Sequence, residues 1–370
     1  MEAHARIQRI DSFAGYHRSL GVALATTLAW PGARYLKQPM ETTMRIPATS
    51  RALTLAVPAL FAAAGLAMPA HAADAWPTHV IKFVVPFTAG GANDLVARAA
   101  ADAVGKRLGQ AVVIENRPGA GGVVGADYVA KSKPDGYTFL VGAVGTVTNG
   151  LIRSKMPYAP DDLVPVSLVA VSPSVIVVSP SLPVNNLKEL VEYSKKQASG
   201  ANFATAGSGS TPHFVEEMLK EKGAVLTVVP YKSGSESITA VIGNQVTATS
   251  EASVVVLPNI KAGKLKALGA TWDKRMSAAP NIATTAEQGM PEVRIGHWAG
   301  VFAPKGTDPA ILKKMNAEMS AAMQTQETRD RLIPNGIEPA GGTQESFIAF
   351  IKSERERLGR IAKKANMTAD

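Results

Sequence analysis

Apolar positions along this chain switch between two periods. Short β-branched runs, beginning with Val80 to Val85, alternate with stretches that repeat every three to four residues. Asn93 to Leu108 is such a stretch. It sets Val96, Ala100, Val104 and Leu108 on one helical face and Arg98, Asp102 and Lys106 at i, i+4 on another. Gly109 reads as its C-cap. Ala111 to Glu115 predicts the next strand, Asn116 to Gly122 a Pro/Gly turn, and Val123 to Lys131 a second helix. Pro134-Asp135-Gly136 turns the chain into a third strand, Tyr137 to Val141. This β-α-β-α-β alternation predicts a parallel sheet.

The unit then returns, with strands at Asn202 to Ala206, Val225 to Val229 and Val246 to Ser250. Helices at Phe214 to Lys222 and Ser235 to Ile242 lie between them. The spacing is too long for a solenoid, so two similar α/β lobes are expected. Ser174 to Ser179 with the helix Leu187 to Gln197, and Gly300 to Ala303 with the helix Ala310 to Met323, resemble each other. Asp308 and Pro309 start the latter helix well. These two strands are expected to cross between the lobes. Lobe 1 would be residues 73–171 plus 300–370, and lobe 2 residues 172–299. A last helix, Gln344 to Ala365, capped by Thr343, buries Phe347, Ile351, Leu358 and Ile361.

The N-terminal segment does not fit this pattern. Arg45 and Arg51 precede an apolar run, Ala52 to Leu66, and Ala70-His71-Ala72 fits the small-x-small rule. Residues 44–72 therefore read as a signal peptide cleaved before Ala73, so the mature chain is expected to be exported. A membrane anchor is the alternative, but Pro and Gly interrupt a run already short for spanning. Residues 1–43 read as an upstream extension outside the native chain.

Charge and cysteine content narrow the function. The chain has 39 basic and 30 acidic residues; the first 72 hold seven and three of these, leaving the rest at +5. No Lys/Arg run or aromatic–basic interleaving occurs, which argues against nucleic acid. There is no cysteine, so thiolate metal sites and cysteine nucleophiles are excluded.

Two Gly/Ser-rich turns each follow a strand and open a helix: Pro86 to Asp94 and Ala206 to His213. A helix start leaves N–H groups unpaired and carries a partial positive charge, and glycine admits a ligand close to the backbone. The turns read as two anion-holding jaws. Phe87, Thr88, Ala89, Gly90 and Gly91 form the first, with backbone N–H groups as the main donors. Asp94 either caps the helix, orients the loop or accepts from a ligand hydroxyl. Ser208, Gly209 and Ser210 form the second, with His213 as a cap, a packing residue or a contact. Thr146, Thr148 and Asn149 follow the third strand at a carboxyl end, where ligands gather in α/β sheets. Tyr231 and Glu251 hold equivalent places in the second unit, and Trp298 either covers the cleft or packs the lobes.

Enzyme signatures are weak. Gly119 to Gly125 departs from the dinucleotide fingerprint at Val124, and Gly207-Ser208-Gly209 is not a nucleophile elbow. His79, His213 and His297 show no metal-ligand spacing. No cofactor, metal or catalytic residue is expected.

Several motifs, in order, resemble the Bug family, the extracytoplasmic receptors of tripartite tricarboxylate transporters. They are Val85-Pro86-Phe87…Gly90-Gly91…Asp94, Glu115-Asn116-Arg117-Pro118-Gly119-Ala120-Gly121-Gly122, Pro134-Asp135-Gly136-Tyr137, Ala206-Gly207-Ser208-Gly209-Ser210, Val229-Pro230-Tyr231-Lys232 and Leu257-Pro258…Ile260-Lys261-Ala262-Gly263-Lys264-Leu265. The resemblance spans essentially all of residues 73–370. It implies a two-lobed, type II-like periplasmic binding protein fold, with Rossmann-like lobes joined by two crossing strands around a cleft. It also implies capture of a small carboxylate, a mono- or dicarboxylate with aromatic and amino acids among the candidates, by backbone amides and ordered waters of the two turns. Delivery to membrane permease subunits would follow, with the receptor a monomer. Ala89, Ser233 and Glu251 depart from the family pattern of proline, glycine and aspartate, which bears on ligand identity. The alternatives are a secreted α/β hydrolase using Ser208 or Ser210, a nucleotide-dependent enzyme, and a sensory binding subunit.

Overall fold

The structure, a computed structural model, describes residues 76–369. The expected signal peptide, 44–72, and the upstream extension, 1–43, lie outside the described residues. The chain first lays down β1 (Ile81–Val85), α1 (Ala92–Leu108), β2 (Val112–Asn116), α2 (Val123–Ala130), β3 (Thr138–Ala143) and α3 (Val144–Ile152). A long strand, β4 (Leu163–Val178), and α4 (Leu187–Lys195) lead into the second unit. That unit holds β5 (Ala201–Thr205), α5 (Thr211–Glu221), β6 (Leu226–Pro230), α6 (Gly234–Ile242), β7 (Ala248–Ala252), α7 (Ser253–Lys261) and β8 (Lys266–Ala270). The chain ends with β9 (Gly296–Pro304), α8 (Pro309–Met323), α9 (Gln326–Leu332), β10 (Glu338–Pro339) and α10 (Gln344–Lys364).

The strands follow the order β2-β1-β3-β9-β4-β7-β5-β6. β1 pairs in parallel with β2 and β3, and β5 in parallel with β6 and β7. The two halves thus repeat one pattern, and the antiparallel strands β9 and β4 join them. This is the expected two-lobed α/β architecture.

β4 changes partner partway along. Leu163 to Pro173 pair with β9, while Ser174 to Val178 pair with β7 and also β8. Pro173 has no N–H to extend the ladder, and Pro173–Gly296 is the last pair with β9. β3 runs in the direction of β4 and β7 against it, so their carboxyl ends approach the same stretch of β4. Ala143, the last residue of β3, is level with Ala170 through Ala299, and Ala252, the last of β7, is level with Ser174.

Local signals explain most helix ends. Gly109 closes α1 at φ 67°, and Val96, Ala100 and Val104 are buried along its inner face. Asp308 accepts from the Ala310 N–H at 2.7 Å and Thr343 from the Ser346 N–H at 3.1 Å, capping α8 and α10. The inner stripe of α10 carries Phe347, Ile351, Leu358 and Ile361 as expected, with a buried carboxylate, Glu354, among them. Arg357 and Arg294 reach its Oε1 at 2.7 and 3.2 Å.

Three stretches go beyond the elements expected. Val144–Ile152 is helical despite Gly145 and its β-branched residues; the Thr146 hydroxyl accepts from the Ala143 N–H at 3.1 Å and holds its first turn. β4 begins at Leu163, because Pro165 and Pro173 fall at a register shift and at the partner change, where a strand tolerates proline. α7 forms with Pro258 inside it.

α10 docks through its first inward ring. A Cβ on Gly300 of β9 would stand 2.3 Å from Phe347 Cζ, and Phe347 packs against Trp298 and Phe302 at 6.2 and 5.3 Å between centroids. Gly300→Ala is expected to destabilise the protein by about 1–3 kcal/mol, read as a lower urea midpoint. An unchanged midpoint would show that this contact does not fix α10.

Candidate functional site

The converging strand ends enclose a cavity of about 340 Å³. β3 and the start of α3 supply Ala143, Val144 and Gly145, followed by Thr148, Asn149, Ile152 and Arg153. The turn after β5 supplies Ala206 and Ser208 to Ser210, and α5 opens behind it at Thr211. β7 contributes Glu251, β9 His297 and Trp298, and the start of α1 Asn93. Phe87, Gly121 and Ala369 complete the wall. The starts of α1, α3 and α5 therefore all border one space. Their first-turn N–H groups have no intrahelical partner, and their dipoles favour an anion there.

Several lining groups are held by bonds of their own. Asn149 Nδ2 donates to the Gly145 and Gly121 carbonyls at 2.7 and 2.9 Å, and its Oδ1 accepts from Arg153 Nε at 3.2 Å. Asn149 thus braces the α3 start. Ser210 Oγ donates to the Gly207 carbonyl at 2.6 Å, and Ser208 Oγ donates to the Thr368 carbonyl. The chain end is tied to the opposite wall, where the Ala369 N–H donates to Ile152 O at 2.9 Å. Gly209 has φ 72°, and a Cβ there would lie 2.0 Å from Ile152 Cδ1.

Three lining residues carry a buried polar atom without a hydrogen-bond partner: Glu251 Oε1, His297 Nε2 and Trp298 Nε1. Burial pushes the Glu251 carboxyl up to about 7, against a smaller opposing effect of the Ala252 N–H. Burial pushes His297 down to about 4, so its ring is neutral near pH 7. Gly234, the first residue of α6, makes room for the Glu251 carboxyl: a Cβ there would stand 2.5 Å from Glu251 Cδ. Trp298 is fully buried and also packs on Phe302, Phe347 and Phe350.

Of the residues singled out in the sequence, Phe87, Thr148, Asn149, Ser208, Gly209, Ser210, Glu251 and Trp298 border this cavity, and eight others do not. Thr88, Ala89, Gly90 and Gly91 form an exposed bend drawn toward Asp94. Asp94 accepts from the Gly90 N–H, Arg98 Nε and Asn116 Nδ2, each at 2.9 Å. Burial alone would raise its pKa, but these donors together lower it. Asp94 therefore braces the loop through both carboxylate oxygens. Thr146 spends its hydroxyl on the Ala143 cap. His213 Nδ1 accepts from the Gly209 N–H at 3.2 Å, supporting the Ser-rich turn from behind. Tyr231 lies half-buried against the second lobe's core, its N–H donating to Thr205 O at 2.8 Å.

Asn93, Arg153, His297 and Ala369 were missed. Asn93 carried a local cue in its place inside the first turn and His297 in its place beside Trp298; tertiary pairing alone brings in Arg153 and Ala369. His213, Glu216 and Glu217 on α5 also group their ligand atoms. Lys220 Nζ sits on both carboxylates at 2.6 and 3.0 Å and serves there as the cation.

The buried Glu251 carboxyl makes stability pH-dependent with a definite sign. Its folded-state value of about 7 lies above the ordinary 4.5. Between these values the folded protein keeps a proton that the unfolded chain has released, so stability from this group falls as pH rises. Glu251→Gln is expected to gain on wild type by about 3 kcal/mol from pH 4.5 to 7, measured by denaturant unfolding across that range. A pH-independent difference would mean the carboxyl is solvated or paired.

Residues 96–367 match the family model described as "Tripartite tricarboxylate transporter family receptor". Protein BugT of Bordetella pertussis is 36% identical over 298 residues, covering 79% of this chain and 91% of that protein. The solved periplasmic binding protein BugD is 33% identical with a TM-score of 0.67, covering 79% of this chain and 99% of that one. Rpa4515 of R. palustris, solved with adipate, is 33% identical with a TM-score of 0.70, at 79% and 99% coverage. No helix among the described residues is long and apolar enough to cross a membrane. The chain belongs to the tripartite tricarboxylate transporter receptor family, the Bug proteins, whose members are periplasmic solute-binding receptors and not enzymes.

Proposed function

We propose that the protein captures a small carboxylate in the central cavity and delivers it to the membrane subunits of a tripartite transporter. The observation that carries this reading is the convergence of the α1, α3 and α5 starts on one cavity. A carboxylate there would take backbone donors from Val144 and Gly145 on one side and Ser208 and Thr211 on the other, since the Gly209 and Ser210 N–H groups already bond His213 and Gly207, with the Thr148 hydroxyl beside them. At about 340 Å³ the cavity suits a small solute. Neither Ser208 nor Ser210 donates to a histidine, which agrees with binding and not hydrolysis. The adipate held by Rpa4515 supports the carboxylate class.

In this reading the lobes are residues 73–171 plus 300–370 and residues 172–299, with the boundary near the partner change of β4. Hinge motion there would open and close the cavity. Ile152 and the Gly209 turn are then the lips that meet on closure. Export, with cleavage before Ala73, places the receptor in the periplasm.

A thermal-shift panel of carboxylates, amino acids, sugars and amines tests the ligand class. A carboxylate at 100 times its Kd should stabilise by about 2.7 kcal/mol. Shifts with sugars or amines alone would contradict the reading. Glycine substitutions test the placement of the jaws. Gly209→Ala should weaken binding at least tenfold, because its Cβ falls on Ile152. Gly91→Ala should change affinity less than about twofold, since its Cβ meets only Thr88 O at 3.6 Å. The reverse order would move the anion site back to the first turn.

A further inference from the structure

The cavity has a second polar region on a different set of elements from the helix starts. Glu251 at the end of β7 and His297 and Trp298 on β9 each present a residue to it. Each has a buried polar atom with no partner in the protein: Oε1, Nε2 and Nε1. An unpaired buried polar group is costly, and a buried carboxylate without a counter-charge more so. Among the described residues the charged side chains lining the cavity are Arg153 and Glu251. Arg153 lies on the α3 side, bonded to Asn149 and to the Ala120 carbonyl. Glu251 shows no ion pair; its carboxyl is wedged in the space left by Gly234. One region of the wall is therefore electropositive, and the strands β7 and β9 bring one acid and one neutral imidazole to the same cavity.

We propose that the ligand is a zwitterion: its carboxylate sits at the helix starts, and a protonated amine at its other end is received by Glu251 and His297. This rests on the carboxylate-receptor reading and adds to it the chemistry of the second end. An ammonium group donates three hydrogen bonds and accepts none. It meets Glu251 Oε1 as acceptor, and His297 Nε2 as acceptor in the tautomer protonated at Nδ1. The same contact supplies the counter-charge that Glu251 lacks. A second carboxylate in that place would confront Glu251 with a like charge and force one of the two acids to hold a proton. An alkyl end would leave the two acceptors, Glu251 Oε1 and His297 Nε2, unpaired, which is how a polar site rejects an apolar analogue; the Trp298 indole N–H, itself a donor, is outside this contact. Glu251 is then the specificity-determining residue of the site, and Gly234 the position that admits its carboxyl.

The test is calorimetric titration of the mature protein with matched chains. 4-Aminobutanoate, 5-aminopentanoate and 6-aminohexanoate are compared with butanoate, pentanoate and hexanoate, and with succinate, glutarate and adipate. At pH 8 at least one amino acid is expected to bind about tenfold or more tightly than both its diacid and its alkyl counterpart. Glu251→Gln should lower that affinity about tenfold or more and bring the diacid level with or ahead of the amino acid. Glu251→Asp should retain the preference for the amine, since the charge stays. A diacid or alkyl acid binding wild type as tightly as its amino acid overturns the inference while leaving the carboxylate site standing. So does an E251Q protein with an unchanged ranking. If E251Q does not fold, the wild-type ranking decides alone. Failure of every carboxylate to bind overturns the receptor reading and this inference with it.

Discussion

The partner change along β4 is the constraint on which the site depends. A strand of 16 residues gives its first part to β9 and its last five residues to β7. Two parallel half-sheets are thereby aimed at each other, each with its carboxyl ends toward the stretch between Ala170 and Val175. Loops and helix starts at the carboxyl ends of parallel strands are where α/β proteins place ligands. Here two such sets share one space. Proline at 173 ends the ladder with β9 because it lacks a donor, so one residue type helps fix where the halves meet.

The consequence is a cavity whose electropositive wall is built from backbone. Side chains nearby mainly brace that backbone. Asn149 ties α3 to Gly121, His213 supports the Gly209 turn, and Asp94 with Asn116 secures the loop before α1. In the proposed reading, such an arrangement would hold an anion without burying a cation, and so avoid the desolvation cost of a lysine or arginine at the centre. The end of the chain also takes part, since Thr368 and Ala369 connect the Ser208 turn to Ile152.

What the sequence made legible was local. Strand–helix alternation, the cap at Gly109, the Asp308-Pro309 start and the inner stripe of α10 each follow from neighbouring residues. Glu251 and Trp298 could be singled out because strand ends are predictable. The first Gly-rich turn shows the limit. Its composition fits an anion loop, but Asp94 and Asn116 secure its middle, Thr88 to Gly91, away from the cavity, and only its ends, Phe87 and Asn93, border it. Glu354 lies in an apolar stripe with one local partner, Arg357 at i+3, and its second, Arg294, comes from a distant segment. Arg153, His297 and Ala369 became visible only once β9 and α10 were docked. Nothing local encodes those pairings.

The central claim is that backbone at two helix starts, one in each half-sheet unit, holds the ligand's carboxylate. A crystal structure of the protein with a carboxylate that raises its melting temperature tests this most directly. The account predicts carboxylate oxygens within hydrogen-bonding distance of the Val144 and Gly145 N–H groups on one side and the Ser208–Thr211 segment on the other. A carboxylate held by Arg153 alone, or on the exposed bend of Thr88 to Gly91, would contradict it.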